Sequence, residues 1–344
     1  MSAGSAFALS LYEAARPIIE RVLPGTGYLA ARLGSGSDVL GFDDDRSRDH
    51  DFGCRLTVLV GQQHKALLEP LDAALDAELP EEVAGWPTRF GTSWDSQVRH
   101  KIDLHTVHDF VASRLGFDLR APLQPAEWLC LTGQSVLEVT AGPVFHDSTE
   151  SYREVKRTLS WYPEELWRYV LAAGWARLGQ ELPLVGRTGE LGDESGSRII
   201  AARLCRDVAH LSFAVDRTWM PYPKWSGMAL RVLPGGRAIE DTLAAVQAAA
   251  RWAERQQLLS KALEVLADRH RAAGFELPEP TVGPFFDRPF LMPNSEIVAA
   301  LTDAITDPRV RDLPPIGSIE QWCDNVDVLS HPNRRVRATA LYQR

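Results

Sequence analysis

Two carboxylates one residue apart, in Asp49-His50-Asp51-Phe52-Gly53, follow a Gly34-Ser35-Gly36-Ser37 turn after a short loop. In extended chain, residues i and i+2 face the same way, so Asp49 and Asp51 are expected side by side. Carboxylates held that close repel each other unless a cation sits between them, and hard oxygen donors of this kind suit Mg²⁺. A backbone-rich Gly/Ser turn nearby is suited to holding phosphates. Together they point to metal-dependent chemistry on a nucleoside triphosphate. An in-line displacement at phosphorus with two metal ions needs a third acidic residue. The candidate is Asp103 in Lys101-Ile102-Asp103-Leu104-His105, which shares a strand face with Lys101 and His105 while Ile102 and Leu104 face the other way. Asp103 would hold the second metal or accept the proton of an attacking hydroxyl. The metals would neutralise charge on the phosphoryl oxygens while the Gly34-Ser35 turn positions the triphosphate.

Each signal has a plainer explanation when taken alone. A DxD pair is commonly a turn or an exposed strand end, a GSGS stretch a flexible loop, and a single aspartate a surface residue. The order of elements carries more weight. An amphipathic helix is expected over 6–23, with Leu11, Ala14, Ala15, Ile18, Ile19 and Val22 near helical spacing, Pro17 as a kink or fresh start, and Pro24-Gly25 closing it. Residues 28–33 then read as a short apolar strand running into Gly34, with Arg32 its one basic residue. Leu56, Val58 and Val60 alternate in a second strand, expected over 51–60, and a Leu/Ala-rich helix follows over 63–78. Further strands are expected at 89–92 and 98–107. Asp43, Asp44 and Asp45 read as a solvated loop rather than ligands, and Arg46 and Arg48 beside them either touch phosphate or belong to the same solvated loop.

A chain of 344 residues has room for two domains, expected at 1–148 and 149–344. No apolar run approaches membrane-spanning length and the N-terminus lacks a basic region leading into an apolar segment, so a cytoplasmic protein is expected, without membrane partners. The net charge of -9 disfavours a broad nucleic-acid surface, which needs basic patches, and suits a small or cationic second substrate. Cys54, Cys130, Cys205 and Cys323 are scattered without a CxxC pair, so buried or free thiols are expected. After Gly142-Pro143 the pattern becomes helical: 152–232, with Trp161, Leu166, Val170 and Trp175 as core, then one long run over 238–273, then a proline-marked looped region.

Gly34-Ser35 followed by Asp49-x-Asp51 and a later strand aspartate resembles the polymerase-β-type nucleotidyltransferase superfamily, which includes the aminoglycoside nucleotidyltransferases. More closely, the chain resembles an uncharacterised bacterial family of that superfamily, known only as a nucleotidyltransferase-like domain of unknown function. The segments that carry this are Gly34 to Gly41, Arg48-Asp49-His50-Asp51, Val185-Gly186-Arg187-Thr188-Gly189-Glu190, Pro221-Tyr222-Pro223-Lys224-Trp225 and Ile316-Gly317-Ser318. The resemblance implies an α+β fold, a polymerase-β-like domain with a small mixed sheet followed by a mostly α-helical domain forming the other wall of a cleft. It implies two-metal transfer of a nucleoside monophosphate from an NTP, ATP being the first candidate, to a small acceptor with pyrophosphate released. Asp49, Asp51 and Asp103 would bind two Mg²⁺ ions and carry catalysis, and Gly34, Ser35 and Ser37 would hold the triphosphate. Transfer to a protein or tRNA acceptor, or nucleotide sensing without catalysis, are the alternatives.

In the helical part, Lys224 sits in a rigid aromatic setting that would aim an ammonium at phosphates, or lies along Trp225. Arg198, Arg203 and Arg206 would present cations from one helix, or form a solvated or salt-bridged face. Glu190, Asp193 and Glu194 would offer an acidic patch to a cationic acceptor, or form a plain acidic loop. Trp161, Trp167, Trp175 and Trp219 read as core, and His105 with His108 lacks a third ligand for a transition metal.

Overall fold

In the computed structural model, which describes residues 3–44, 53–92 and 95–343, short apolar strands form one mixed four-stranded sheet. The N-terminal elements are α1 (Ala3–Val22), β1 (Tyr28–Ala31), α2 (Ser37–Leu40), β2 (Leu56–Val60), α3 (Leu68–Glu78), β3 (Ile102–Thr106) and α4 (Val107–Leu115). They are followed by α5 (Pro125–Leu129), α6 (Gly133–Thr140), β4 (Val144–Asp147) and α7 (Glu150–Thr158). β1 runs antiparallel to β2 and to β4, whereas β2 and β3 are parallel. Asp49 and Asp51 lie outside the described residues, as do Asp45, Arg46 and Arg48.

The chain divides into two compact units, Met1–Leu123 with Ser135–Ser160, and Gln124–Gln134 with Trp161–Arg344. The first unit owes its core to the strand alternation. Tyr28 and Ala30 of β1, Leu56, Val58 and Val60 of β2, and Ile102 of β3 meet Leu11, Ala15, Ile18 and Ile19 of α1 and Leu71 and Leu75 of α3. Each buried leucine or isoleucine contributes roughly 1.5–3 kcal/mol relative to exposure. The first helix continues through Pro17 as one element, and the helix expected over 63–78 begins as a 3₁₀ turn over Gln62–Leu67. β4 and the helices between 107 and 140 had no counterpart in the sequence pattern.

The second unit is mainly helical, with α8 (Glu164–Glu190), α9 (Glu194–Val215), α10 (Pro223–Val232), α11 (Gly236–Ala248) and α12 (Trp252–Ala272). A hairpin of β5 (Val282–Pro284) and β6 (Leu291–Pro293) follows. The run expected over 238–273 breaks at 249–251. Arg255, fully buried, turns back to the carbonyl of Ala249 at 3.1 Å and pairs with Glu194 at 3.1 Å, while Glu194 also accepts the Trp252 amide. Trp167, Trp175 and Trp219 are core, as expected, whereas Trp161, also expected there, is only half-buried. All four cysteines are free thiols, and Cys54, Cys130 and Cys205 are buried. No helix among the described residues is long and apolar enough to cross a membrane. The result is an α+β chain with one small mixed sheet.

Candidate functional site

One end of the sheet collects the segments of interest. Ala31 at the end of β1 pairs with Thr57 near the start of β2, and Thr57 pairs with Asp103 near the start of β3. The chain therefore leaves β1 for the Gly34 turn at the end where it enters β2, from Gly53 onward, and where β3 begins. Because β2 and β3 are parallel, the segment after the DxD pair and the strand bearing Asp103 enter side by side.

The turn is held by a buried ion pair that sequence reasoning passed over. Arg32 continues from β1 into the interior, and its guanidinium meets Asp38 of α2 at 2.7 and 3.0 Å. It also donates to the carbonyls of Leu33 at 2.6 Å and Ser35 at 2.9 Å. An arginine in an apolar strand, six residues before an aspartate, was the available signal, since buried charges require partners. Gly34 and Gly36 have φ of 90° and 138°, conformations that L side chains rarely adopt. A side chain at Gly36 would also collide with Asp38 and Arg32. The Gly34 amide donates to the carbonyl of Glu138 at 2.8 Å, so that donor is already used. Ser35 and Ser37 are exposed or half-buried, and their hydroxyls make no hydrogen bond among the described residues.

Asp103 is half-buried on the sheet face opposite Ile102, which packs in the core. Among the described residues its carboxylate accepts no hydrogen bond and forms no ion pair. His105, two residues on, lies against Phe110 of α4 with ring centroids 6.0 Å apart. Burial pushes its imidazole below the ordinary range; Asp103 opposes that push and Arg114 reinforces it. Arg114 belongs to α4, which follows β3 and packs back on β2 and β3. Its guanidinium lies 3.2 Å from where a side chain at Gly34 would begin, and 3.6 Å from the Glu138 carboxylate. Arg114 and Glu138 carried no motif by which the sequence would have marked them. Among the described residues no three His, Cys, Asp or Glu side chains cluster as a metal site; two of the three predicted ligands lie outside those residues.

In the second unit, Lys224 is exposed near the start of α10, with its ammonium 5.7 Å from the Trp225 ring centroid. The arginines of α9 are structural ties between elements. Arg198 donates to Ala250 at 3.2 Å, Arg203 pairs with Glu181 at 2.5 Å, and Arg206 donates to the carbonyls of Glu320 and Cys323. The expected acidic patch is likewise engaged: Glu190 pairs with Arg187, Asp193 caps α9 through the Gly196 amide, and Glu194 pairs with Arg255.

A family model described as a domain of unknown function (DUF4037) matches residues 128–226, less than half of the chain. Among solved structures, the chain is similar to a nucleotidyltransferase-like protein from Exiguobacterium sibiricum 255-15. The two share 13% identity over 76% of this chain and 78% of that one, with a TM-score of 0.36. A likeness at that level supports neither fold nor function by itself. No curated protein matches the chain.

Proposed function

We propose that this chain is a Mg²⁺-dependent nucleotidyltransferase, which moves a nucleoside monophosphate from an NTP to a hydroxyl or amine of a small acceptor and releases pyrophosphate. The supporting observation is the cross-strand row Ala31, Thr57, Asp103. It brings the exit to the Gly34-Ser35 turn, the entry from the DxD segment and the third carboxylate to one end of one sheet. Asp103 has no cationic protein partner among the described residues, which fits a carboxylate reserved for a metal. With Asp49 and Asp51 it makes a hard-oxygen donor set suited to Mg²⁺. When bound, the metal supplies charge neutralisation at the phosphoryl oxygens. In this proposal Asp49, Asp51 and Asp103 hold the metal, with Asp103 in position to take a proton from the acceptor. The Ser35 and Ser37 hydroxyls, with the turn shaped by Gly34, hold the triphosphate. Lys224 is assigned to nucleotide binding, and ATP is the first donor to try.

The test is pyrophosphate release from each NTP with Mg²⁺ and a metabolite extract, followed by mass spectrometry of nucleotidylated products. Asp51→Asn should abolish release while leaving the fold intact. An Asp51→Asn protein that stays active and metal-dependent contradicts the assignment. Binding without release, with any acceptor, would instead identify a nucleotide sensor.

A further inference from the structure

In the second unit a buried carboxylate stands at a cavity with no arginine or lysine paired to it among the described residues. Glu320 is 8% exposed and lies in the short helix Ile319–Trp322. Its Oε2 accepts the Gly133 amide at 2.9 Å. Arg206 donates instead to the backbone carbonyls of Glu320 and Cys323. His210 of α9 is 9% exposed and brings Nε2 to 4.0 Å from Glu320 Oε2, beyond hydrogen-bond length. Burial holds its imidazole down at about 4, so the ring is neutral and leaves the carboxylate uncompensated. The Nδ1 atom of His210 is buried and has no hydrogen-bond partner among the described residues. Glu320 and His210 line one cavity with Trp161, Tyr162 and Trp219. Those three rings pack on one another, with centroids 4.7 to 5.1 Å apart, and form an aromatic wall. The space admits a single water-sized group. A second cavity that Glu320 also lines is larger and mainly apolar, with Tyr222, Pro223, Val326 and Leu329 on its walls. All of these residues belong to the second unit.

We infer that this site binds a primary amine in its ammonium form, the charged head on Glu320 beside the aromatic wall and a short carbon chain in the second cavity. A buried carboxylate without a cationic partner is costly, and an ammonium supplies the missing charge together with hydrogen-bond donors. Aromatic rings attract a cation most strongly where water is excluded, as it is around these three. The small space at the rings takes an ammonium head but has no room for the methyl groups of a quaternary ammonium. This binding neither needs nor supports the nucleotidyltransferase proposal.

Calorimetric titration of full-length protein with butylammonium chloride tests it, against 1-butanol and tetramethylammonium chloride. Butylammonium should bind saturably, and about 10-fold or more tighter than either of the others. Glu320→Gln should weaken butylammonium by about 10-fold or more, as expected for losing a charge-assisted hydrogen bond. That variant keeps its fold, because burial already disfavours the charge it removes, and its melting temperature checks this. Leu329→Trp, which fills the second cavity, should weaken butylammonium and spare methylammonium. A folded Glu320→Gln protein that binds butylammonium as tightly as wild type overturns the inference. So does wild-type protein that binds butylammonium no better than 1-butanol, which would leave the cavity to a buried water. Equal loss of both amines in Leu329→Trp would overturn the placing of the carbon chain.

Discussion

Deleting the carboxylate of Asp38 should cost far more than an ordinary surface change, because Arg32 would be left charged in the interior. The Arg32 and Asp38 side chains are only 4% and 11% exposed. In wild type the guanidinium has two contacts to Asp38, at 2.7 and 3.0 Å, and two to backbone carbonyls. Asp38→Ala removes the charged half and leaves only the carbonyls, a change that costs about 3–5 kcal/mol for a buried pair. Asp38→Asn keeps the shape and one acceptor, so roughly 1.5–3 kcal/mol is expected. Replacing both partners by apolar residues, Arg32→Met with Asp38→Leu, should recover most of the loss, since no buried charge then remains. The assay is hydrogen exchange measured by mass spectrometry on peptides covering 28–44, which reads local opening even where two units unfold separately. The double variant should still bind NTP weakly, because Ser35 has lost the guanidinium that holds its carbonyl. An Asp38→Ala protein destabilised by less than about 1 kcal/mol, or a double variant as unstable as the single, refutes the reasoning.

Other changes separate the roles of neighbouring groups. Gly36→Ala should destabilise by several times the cost of Gly41→Ala, roughly 1 kcal/mol, since both have positive φ but only Gly36 has Asp38 and Arg32 in the way; melting temperatures decide this, and equal shifts contradict it. Asp103→Asn should abolish pyrophosphate release without lowering the melting temperature, because no cation among the described residues loses a partner; a marked loss of stability would mean a structural carboxylate. Lys224→Ala should raise the Kd for Mg·ATP; an unchanged Kd confines Lys224 to packing on Trp225. In the second unit, burial pushes the Glu320 carboxyl up to about 7 from 4.5 and holds His210 down at about 4 from 6.5. The folded state keeps the Glu320 proton that the unfolded chain releases, so this contribution is lost as pH rises from 4.5 to about 7. His210 works in the opposite direction, gaining stability from about pH 4 to 6.5. Glu320→Gln should therefore match wild type in acid and exceed it by roughly 3–4 kcal/mol above neutrality; parallel stability curves across that range contradict the assignment.

What could be read from the sequence was what local pattern dictates. Period-two alternation gave β2 and β3, and with them the side of the sheet on which Asp103 lies. Helical spacing gave α1 and the tryptophan core of the second unit. Contacts between distant segments were not legible. Arg32 looked like a stray charge in an apolar strand because its partner, Asp38, comes after a turn whose shape only the two positive-φ glycines reveal. Arg114 carried no signal at all: its meaning comes from α4 folding back over β3, which no spacing rule encodes. The break at 249–251 is set by Arg255 reaching back to Ala249 and across to Glu194, a long-range tie that overrides good helix propensity on both sides.

The central claim is that the Gly34 turn and three carboxylates bind an NTP through Mg²⁺, and a thermal-shift titration tests it most directly. With Mg²⁺ present, at least one NTP should raise the melting temperature of wild type, since a ligand that binds only the folded state stabilises it. The shift should vanish with EDTA and in Asp51→Asn and Asp103→Asn proteins. No shift with any of the four NTPs, or an undiminished shift in both variants, would contradict the account.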